Sequence, residues 1–567
     1  MTLSTPFENN PKTTATYEEV IAFYLSLAAQ FPQKMQLTAQ GSTDAGLPIH
    51  TVVISSDGDF DAVSIRRKNK RILLINNGIH PGEPEGIDAT MMLLRNYLTQ
   101  PELQKWLEKT VIVAIPVYNI DGCLNRNSDS RSNQDGPESY GFRGNARNLD
   151  LNRDFVKCDS RNAQTFNQIL QYWQPEIFVD NHTSNGADYQ YTMTLIPTQH
   201  NKLQKELGDY LQKKLIPRLY SDMKIRGWEM IPYVNHEAET PDSGIYGFLD
   251  HPRYSTGYAA LHNVIGFMPE THMLKPFADR VQSTYAFMES VLHAVHDDAQ
   301  AIGEAKKRAD LAVTKQQQFV LNWAVDEKAV EQLPFKGFEA KHKPSEVSGL
   351  PRLWYDRNAP FERPIPFWNT YLPALTVEKP EAYIFPQAYA DVAERLRWNG
   401  AVVSELAADA SVEVEVYKIK DFKTSKEAYE GHYLHSQVQV EKRTEQKKYR
   451  KGDFLVRTNQ VANAYIIQTL EPQAPDSYFA WNFFDGILMQ KEGFSAYVFE
   501  DLAAEFLSQN PTIRKELEAK KAIEPDFAKS AEVQLDWVYR RTPHYEPTHR
   551  VYPVGRVLKN ESGLIVK

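Results

Sequence analysis

From about residue 18 to 300 the chain alternates β-branched apolar runs with amphipathic stretches at helical spacing. This is the pattern expected when helices cover both faces of a mixed central sheet, an α/β fold. Ile49–Ser55, Arg71–Asn76, Thr110–Val117, Glu176–Asp180, Tyr191–Ile196 and Val264–Met268 predict strands. Tyr17–Gln30, Glu85–Leu98, Ser160–Trp173, His200–Tyr220 and Pro276–Ala309 predict helices. The last of these loses its apolar face over Ile302–Ala309, which places a domain edge near residues 300–315. The pattern therefore predicts an α/β domain over 15–305 and a mixed α/β or α+β C-terminal domain over 315–567. In the latter, strands are expected at Phe319–Val325, Val412–Lys418, Gln437–Lys442 and Asp453–Arg457, a strand-helix-strand at Ala382–Leu406 and a helix at Ser495–Leu507. No residue beyond 315 stands out for chemistry.

Composition narrows the function classes. The 567 residues are 42% hydrophobic and 24% charged, which suits a globular protein with more than one core. A net charge of −9 offers no broad basic surface for a nucleic-acid backbone. Glu441–Lys451 and Arg66–Arg71 are locally basic, and both are expected to be solvated, the first as part of a hairpin. Apolar runs such as Ile72–Ile75 and Val111–Val117 fall far short of the roughly 20 residues that cross a bilayer. Cys123 and Cys158 are the only cysteines, so no disulfide framework or CxxC metal site is built in, and whether the two pair is open.

The densest chemical signal follows the apolar run at Ile72. There His80-Pro-Gly-Glu83 sits in a Gly/Pro turn that leads into a helix. Polar groups at the carboxyl end of such a strand lie where α/β sheets form their clefts. An imidazole and a carboxylate three residues apart can face one Zn²⁺. A second pair of that spacing, His236 and Glu239, lies in a polar stretch with no strand running into it and is set aside. A catalytic zinc keeps three protein ligands, and His182, at the end of Glu176-Ile-Phe-Val-Asp180, is the third candidate. Glu270 ends another strand and is the candidate base. His272, two residues on, could compete as a ligand but is expected to lie past the site, in a role behind the ligands or a structural one. The loop from Gly141 to Phe155 is dense in Arg and Asn, side chains suited to holding carboxylates; its alternative reading is a loop braced by ion pairs such as Arg147 with Asp154.

These residues resemble the zinc metallocarboxypeptidases of peptidase family M14. The resemblance lies in His80-x-x-Glu83, in Arg143 with Asn152-Arg153 nine residues on, in His182 and in Glu270, in the family's order. It covers about residues 15 to 300. It implies one Zn²⁺ per chain, held by His80, Glu83 and His182, and Glu270 as the base that takes a proton from the attacking water. Arg143 would polarise the scissile carbonyl, Asn152 and Arg153 would hold the substrate's terminal carboxylate, and Asp150 would orient His80. The family's mobile tyrosine would fall on Tyr254, with Tyr246 and Tyr258 as the other tyrosines of that loop. The implied activity is hydrolysis of the C-terminal peptide bond of peptides with a free carboxylate. The first ten residues have neither a basic n-region nor an apolar h-region. Because relatives of this kind are often exported, the expected setting is periplasmic or extracellular, with a signal already removed.

Two other readings share these residues. One is an N-acyl amino-acid deacylase of the aspartoacylase and succinylglutamate desuccinylase type, similar at Asp180-x-His182-Thr183. The other is a non-catalytic peptide-binding protein of the same fold. Side-chain specificity, oligomeric state and the job of residues 315–567 stay open.

Overall fold

The computed structural model describes residues 3–559 and 565–566 and builds the first half of the chain around a nine-stranded mixed sheet. Its first strands are β1 (Met35–Ser42), β2 (Pro48–Ile54), β3 (Arg71–Asn76), β4 (Thr110–Ile115) and β5 (Ile177–Asp180). The chain continues through β6 (His182–Ser184), β7 (Met193–Pro197) and β8 (Met230–Pro232). After a short pair, β9 (Asn235–His236) and β10 (Ile245–Tyr246), it returns as β11 (Ile265–His272). The strand order is β1-β2-β4-β3-β5-β11-β7-β8, with β6 also pairing to β11. The four central strands β4, β3, β5 and β11 run parallel. Every residue of those four is buried, which is why their central residues read as continuous apolar runs rather than alternating ones.

Helices cover both faces of this sheet. Phe267 of β11 is in register with Val179 of β5 and meets Phe287 of the helix Phe277–Asp297, whereas the adjacent Phe178 meets Phe166 of the helix Arg161–Trp173. Successive strand residues face opposite ways, so the two helices lie on opposite sides.

The stretch His200–Tyr220 is not one helix. It runs as a 3₁₀ turn, a helix Lys205–Tyr210, a π turn Leu211–Leu215 and a helix Ile216–Ile225. Pro217 supplies no backbone N–H, so the regular hydrogen-bond ladder cannot continue through it. The long helix expected over Pro276–Ala309 is two, Phe277–Asp297 and Ala299–Lys315, joined at Asp298.

The second half begins with β12 (Gln318–Val325), followed by a long hairpin of β13 (Val330–Pro344) and β14 (Pro351–Trp368), and then β15 (Tyr371–Glu378). The hairpin lines up beside β10, Ile245 against Phe367, so one small sheet is shared by both halves of the chain. A six-stranded sheet follows, from β16 (Ala382–Phe385), β17 (Ser404–Glu405), β18 (Ala410–Thr424), β19 (His435–Tyr449), β20 (Phe454–Arg457) and β21 (Gly555–Val557). The main hydrophobic cluster runs without a break from Phe7 to Val554 and takes in Tyr383, Phe385 and Tyr465. Helices between Ala496 and Tyr539 keep a small core of their own around Phe499 and Leu517.

Two basic segments differ from expectation. Most of Glu441–Lys451 lies inside β19 itself. Arg71 is buried, its guanidinium 2.8 Å from Glu176, rather than solvated. Both cysteines are free and buried. Among the described residues no helix is long and apolar enough to cross a membrane.

Candidate metal centre and cleft

The carboxyl ends of β3, β5 and β11 lie side by side, and each delivers part of one cluster. After β3 the backbone turns at Gly78, whose φ of +64° is the left-handed conformation that glycine adopts freely. A side chain there would sit 3.1 Å from Ile87. Glu83 N–H then donates to the His80 carbonyl at 2.8 Å, closing the turn that aims both side chains inward. His182 follows β5 directly, and Glu270 of β11 stands opposite it in the parallel pairing of β6 and β11. His80, Glu83, His182 and Glu270 are all buried.

His80, Glu83 and His182 each offer a ligand atom within 4.8 Å of the others. Glu83 bridges the two rings: Oε1 is 3.3 Å from His80 Nδ1 and Oε2 is 3.1 Å from His182 Nδ1. The far nitrogen of each ring is held by a second carboxylate, His80 Nε2 by Asp150 at 2.8 Å and His182 Nε2 by Asp180 at 3.0 Å. That pairing fixes ring orientation and leaves both Nδ1 atoms for a cation. His80 Nδ1 is buried and, apart from that 3.3 Å contact with Glu83, has no hydrogen-bond partner among the described residues. Two imidazoles and a carboxylate, oriented from behind, fit a divalent ion of the zinc type. The electrostatics agree, because burial alone would lower the His182 pKa, yet Asp180, Glu83 and Glu270 hold it well above its usual value. The site calls for positive charge, which a metal provides on displacing the proton.

The Arg/Asn loop closes one side. Arg143 donates through Nε to Asp150 at 3.0 Å, and its Nη1 lies 3.4 Å from Glu83 Oε1. Burial would raise the Asp150 pKa, but His80, Arg143 and Arg153 outweigh it and keep this carboxylate far below the usual range. Asn152 accepts from Ser255 N–H at 3.2 Å, and the Arg153 guanidinium lies 4.5 Å from the centre of the Tyr254 ring. Tyr254 thus stands beside Arg153, while Tyr258 is buried away from the cleft and donates to Asn399 and Tyr246 is stacked on Trp368. The cleft these residues line holds about 470 Å³, and Ile196, Tyr233, Phe248 and Met268 make its apolar wall. Burial, with Glu83 adding to it, pushes the Glu270 pKa up to about 8 against the pull of His182. A carboxyl poised near neutrality can take up and release a proton.

The alternatives fall elsewhere. His236 lies outside the cleft and Glu239 pairs with His342. His272 is buried with Nε2 bonded to the Ala187 carbonyl and Nδ1 accepting from Leu274 N–H, a structural role. Arg147 donates to the Asp159 carbonyl and Asp154 pairs with Lys157, so the two do not brace the loop together.

Several contributors were not singled out in the sequence. Asp180 had a signal, two residues before His182 at the same strand end. Arg131, whose Nη1 lies 2.9 Å from Glu83 Oε1, comes from a loop with no pattern. That loop is held by Arg280, which pairs with Glu85 at 2.7 Å and donates to the carbonyls of Asp135 and Gly136. From the second half, Tyr429 and Glu430 reach Arg153 and Asp150.

Residues 20–202 match the Peptidase M14 family, described as zinc carboxypeptidase. Carboxypeptidase 2 of Trichophyton rubrum is 23% identical over 426 residues, which cover 71% of this chain and 72% of that protein. A protein named probable carboxypeptidase 2 from Arthroderma benhamiae is 24% identical, over 71% of this chain and 73% of its own. Among solved structures, carboxypeptidase A from Helicoverpa armigera matches at 16% identity with a TM-score of 0.37, covering 52% of this chain and 75% of that one.

Proposed function

We propose that this chain, whose residues 20–202 match the zinc carboxypeptidase family, is a zinc-dependent metallocarboxypeptidase that removes C-terminal residues from peptides with a free carboxylate. The observation that carries the reading is the convergence of His80, Glu83 and His182 with Glu270 opposite, at the carboxyl ends of adjacent strands. The catalytic domain is taken as 15–305 and the C-terminal domain as 315–567, with the residues that line the cleft lying in the first.

His80, Glu83 and His182 would hold one Zn²⁺ per chain. Bound there, zinc supplies Lewis acidity and eases deprotonation of water near neutral pH. Glu270, facing His182 across the β6–β11 pairing, takes the proton from the attacking water and passes it to the leaving amine. Arg143, half-exposed at the cleft, meets the charge that develops on the scissile carbonyl oxygen. Asn152 and Arg153 take the substrate's terminal carboxylate, the guanidinium by paired hydrogen bonds, and the Tyr254 ring backs Arg153. Asp150 and Asp180 keep the two rings turned toward the metal. A periplasmic or extracellular setting belongs to the same proposal.

The test is mass spectrometry of a peptide panel with free and amidated C-termini, incubated with zinc-loaded protein. Loss of single residues from the free peptides alone is expected. Cleavage of acylated amino acids in preference to peptides would favour a deacylase instead, and no turnover of either would leave a binding protein.

A further inference from the structure

The second half of the chain reaches two residues of the site, Arg153 and Asp150, through one turn. The loop between β18 and β19 narrows to a tight turn in which Tyr429 N–H donates to the His432 carbonyl at 2.7 Å and His432 N–H donates back at 3.0 Å. Glu430 and Gly431 at its centre have φ of +51° and +82°. Two successive positive φ values mark a tight hairpin turn of type I′, and the non-glycine at the first of them carries a conformational cost.

This tip is fastened to the first half through three side chains. Tyr429 Oη accepts from Arg153 Nε at 3.0 Å. Glu430 Oε2 accepts from Asp150 N–H at 2.7 Å. His432 Nε2 lies 2.7 Å from Asp159 Oδ2. Behind the tip, the Tyr429 ring is stacked near-parallel on buried Trp481, and Arg253, paired with Asp476, packs against both rings.

For Arg153 the consequence is orientation. Its Nε is engaged by Tyr429, its Nη1 donates to the Asn152 carbonyl at 2.8 Å, and its flat face lies on Tyr254. Among the described residues Nη2 has no hydrogen-bond partner, and Arg153 lines the cleft. A long flexible side chain is thereby held in one rotamer with a free corner toward the ligand, which lowers the conformational entropy lost when an anion binds. The turn also holds the backbone at Asp150, the carboxylate bonded to both His80 and Arg143.

We propose that Tyr429 is a positioning residue: through Arg153, the 429–432 turn of the C-terminal half sets the affinity of the cleft for a terminal carboxylate. The inference rests on the carboxypeptidase reading above. It predicts that the C-terminal half acts on ground-state binding of the carboxylate more than on bond cleavage.

The probe is a short N-acetylated peptide, as the free acid and as the amide, titrated calorimetrically into zinc-loaded Glu270→Gln protein, with and without Tyr429→Phe. The phenylalanine keeps the ring on Trp481 and removes only the hydroxyl. Kd for the acid is expected to rise about tenfold, as for loss of a hydrogen bond to a charged group, with Kd for the amide unchanged. In the otherwise wild-type chain Tyr429→Phe should raise KM by a similar factor and leave kcat within about twofold. Glu430→Ala should shift the acid's Kd the same way. An unchanged Kd for the acid, equal loss for acid and amide, or no binding of the acid at all would overturn the inference. If the wild-type chain trims no peptide but Tyr429→Phe still weakens the acid, the carboxypeptidase reading falls and the positioning role stands. If it trims peptides and the two acid Kd values agree, the reverse holds.

Discussion

Glu270 and His182 stand directly opposite each other in the parallel pairing of β11 with β6. The register places the candidate base one strand spacing, roughly 5 Å, from a candidate ligand, so the two roles are set by hydrogen bonds of the sheet rather than by mobile loops. Removing the base should then leave the metal untouched. Glu270→Gln is expected to bind zinc at the wild-type stoichiometry, read by elemental analysis, while turnover falls by about 10² to 10⁴. Activity within tenfold of wild type would remove Glu270 from the base's role.

The ligands and the carboxylates behind them should separate by degree. His80→Ala, Glu83→Ala and His182→Ala each take one of three donors and should abolish stable zinc binding. Asp150→Asn and Asp180→Asn keep the donors but lose the group that fixes each ring, and should weaken zinc by about 10- to 100-fold. Chelator competition reads both classes. Equal affinity in the aspartate variants and the wild type would show that ring orientation is set by packing alone.

Much of this arrangement was legible along the chain. Arg71–Asn76 is six consecutive buried residues, so both its strand character and its central place follow from composition. The polar residues that follow it, and those after β5 and near the end of β11, read as strand-end side chains once taken together. The β13–β14 hairpin is not legible in the sequence, because few of its residues are buried and β14 carries Pro351, Pro360, Pro364 and Pro366, a composition that argues against a strand. Nothing in the pattern joins Tyr429 to Arg153, 276 residues apart. Such a contact depends on how the two halves pack, and the core that packs them is continuous.

The fully buried pair of Arg280 and Glu85 should be a strong point of the fold. Arg280 donates to Glu85 and to the Asp135, Gly136, Met273 and Lys275 carbonyls, and Thr183 Oγ1 donates to Glu85 at 2.8 Å. Arg280→Met strands the carboxylate and should cost about 3–5 kcal/mol. It should also loosen the loop that carries Arg131. Arg280→Met with Glu85→Leu should recover part of the loss, since no unpaired charge remains. Denaturant unfolding measures both, and a double variant no better than the single one would place the cost in lost packing.

A pH dependence of stability follows from Asp88, which is buried in the helix Glu85–Thr99. It accepts from Thr14 Oγ1 at 2.5 Å and from Ala15 N–H at 3.2 Å. Burial raises its pKa from 3.8 to about 7, against those two hydrogen bonds, with Glu85 adding to the rise and Arg126 opposing it. Between these values the folded chain holds a proton that the unfolded chain has released. Stability from this group is therefore fully present below about pH 4 and is lost as pH rises through about 7, by an amount on the order of a few kcal/mol. Asp88→Asn keeps an acceptor for Thr14 or Ala15 and cannot ionise. Apparent melting temperatures of the two proteins at pH 5 and pH 8 test this: the wild type should fall more than the variant over that interval, and parallel falls would show that Asp88 is already ionised in the folded chain at pH 5 and that its pKa is not raised.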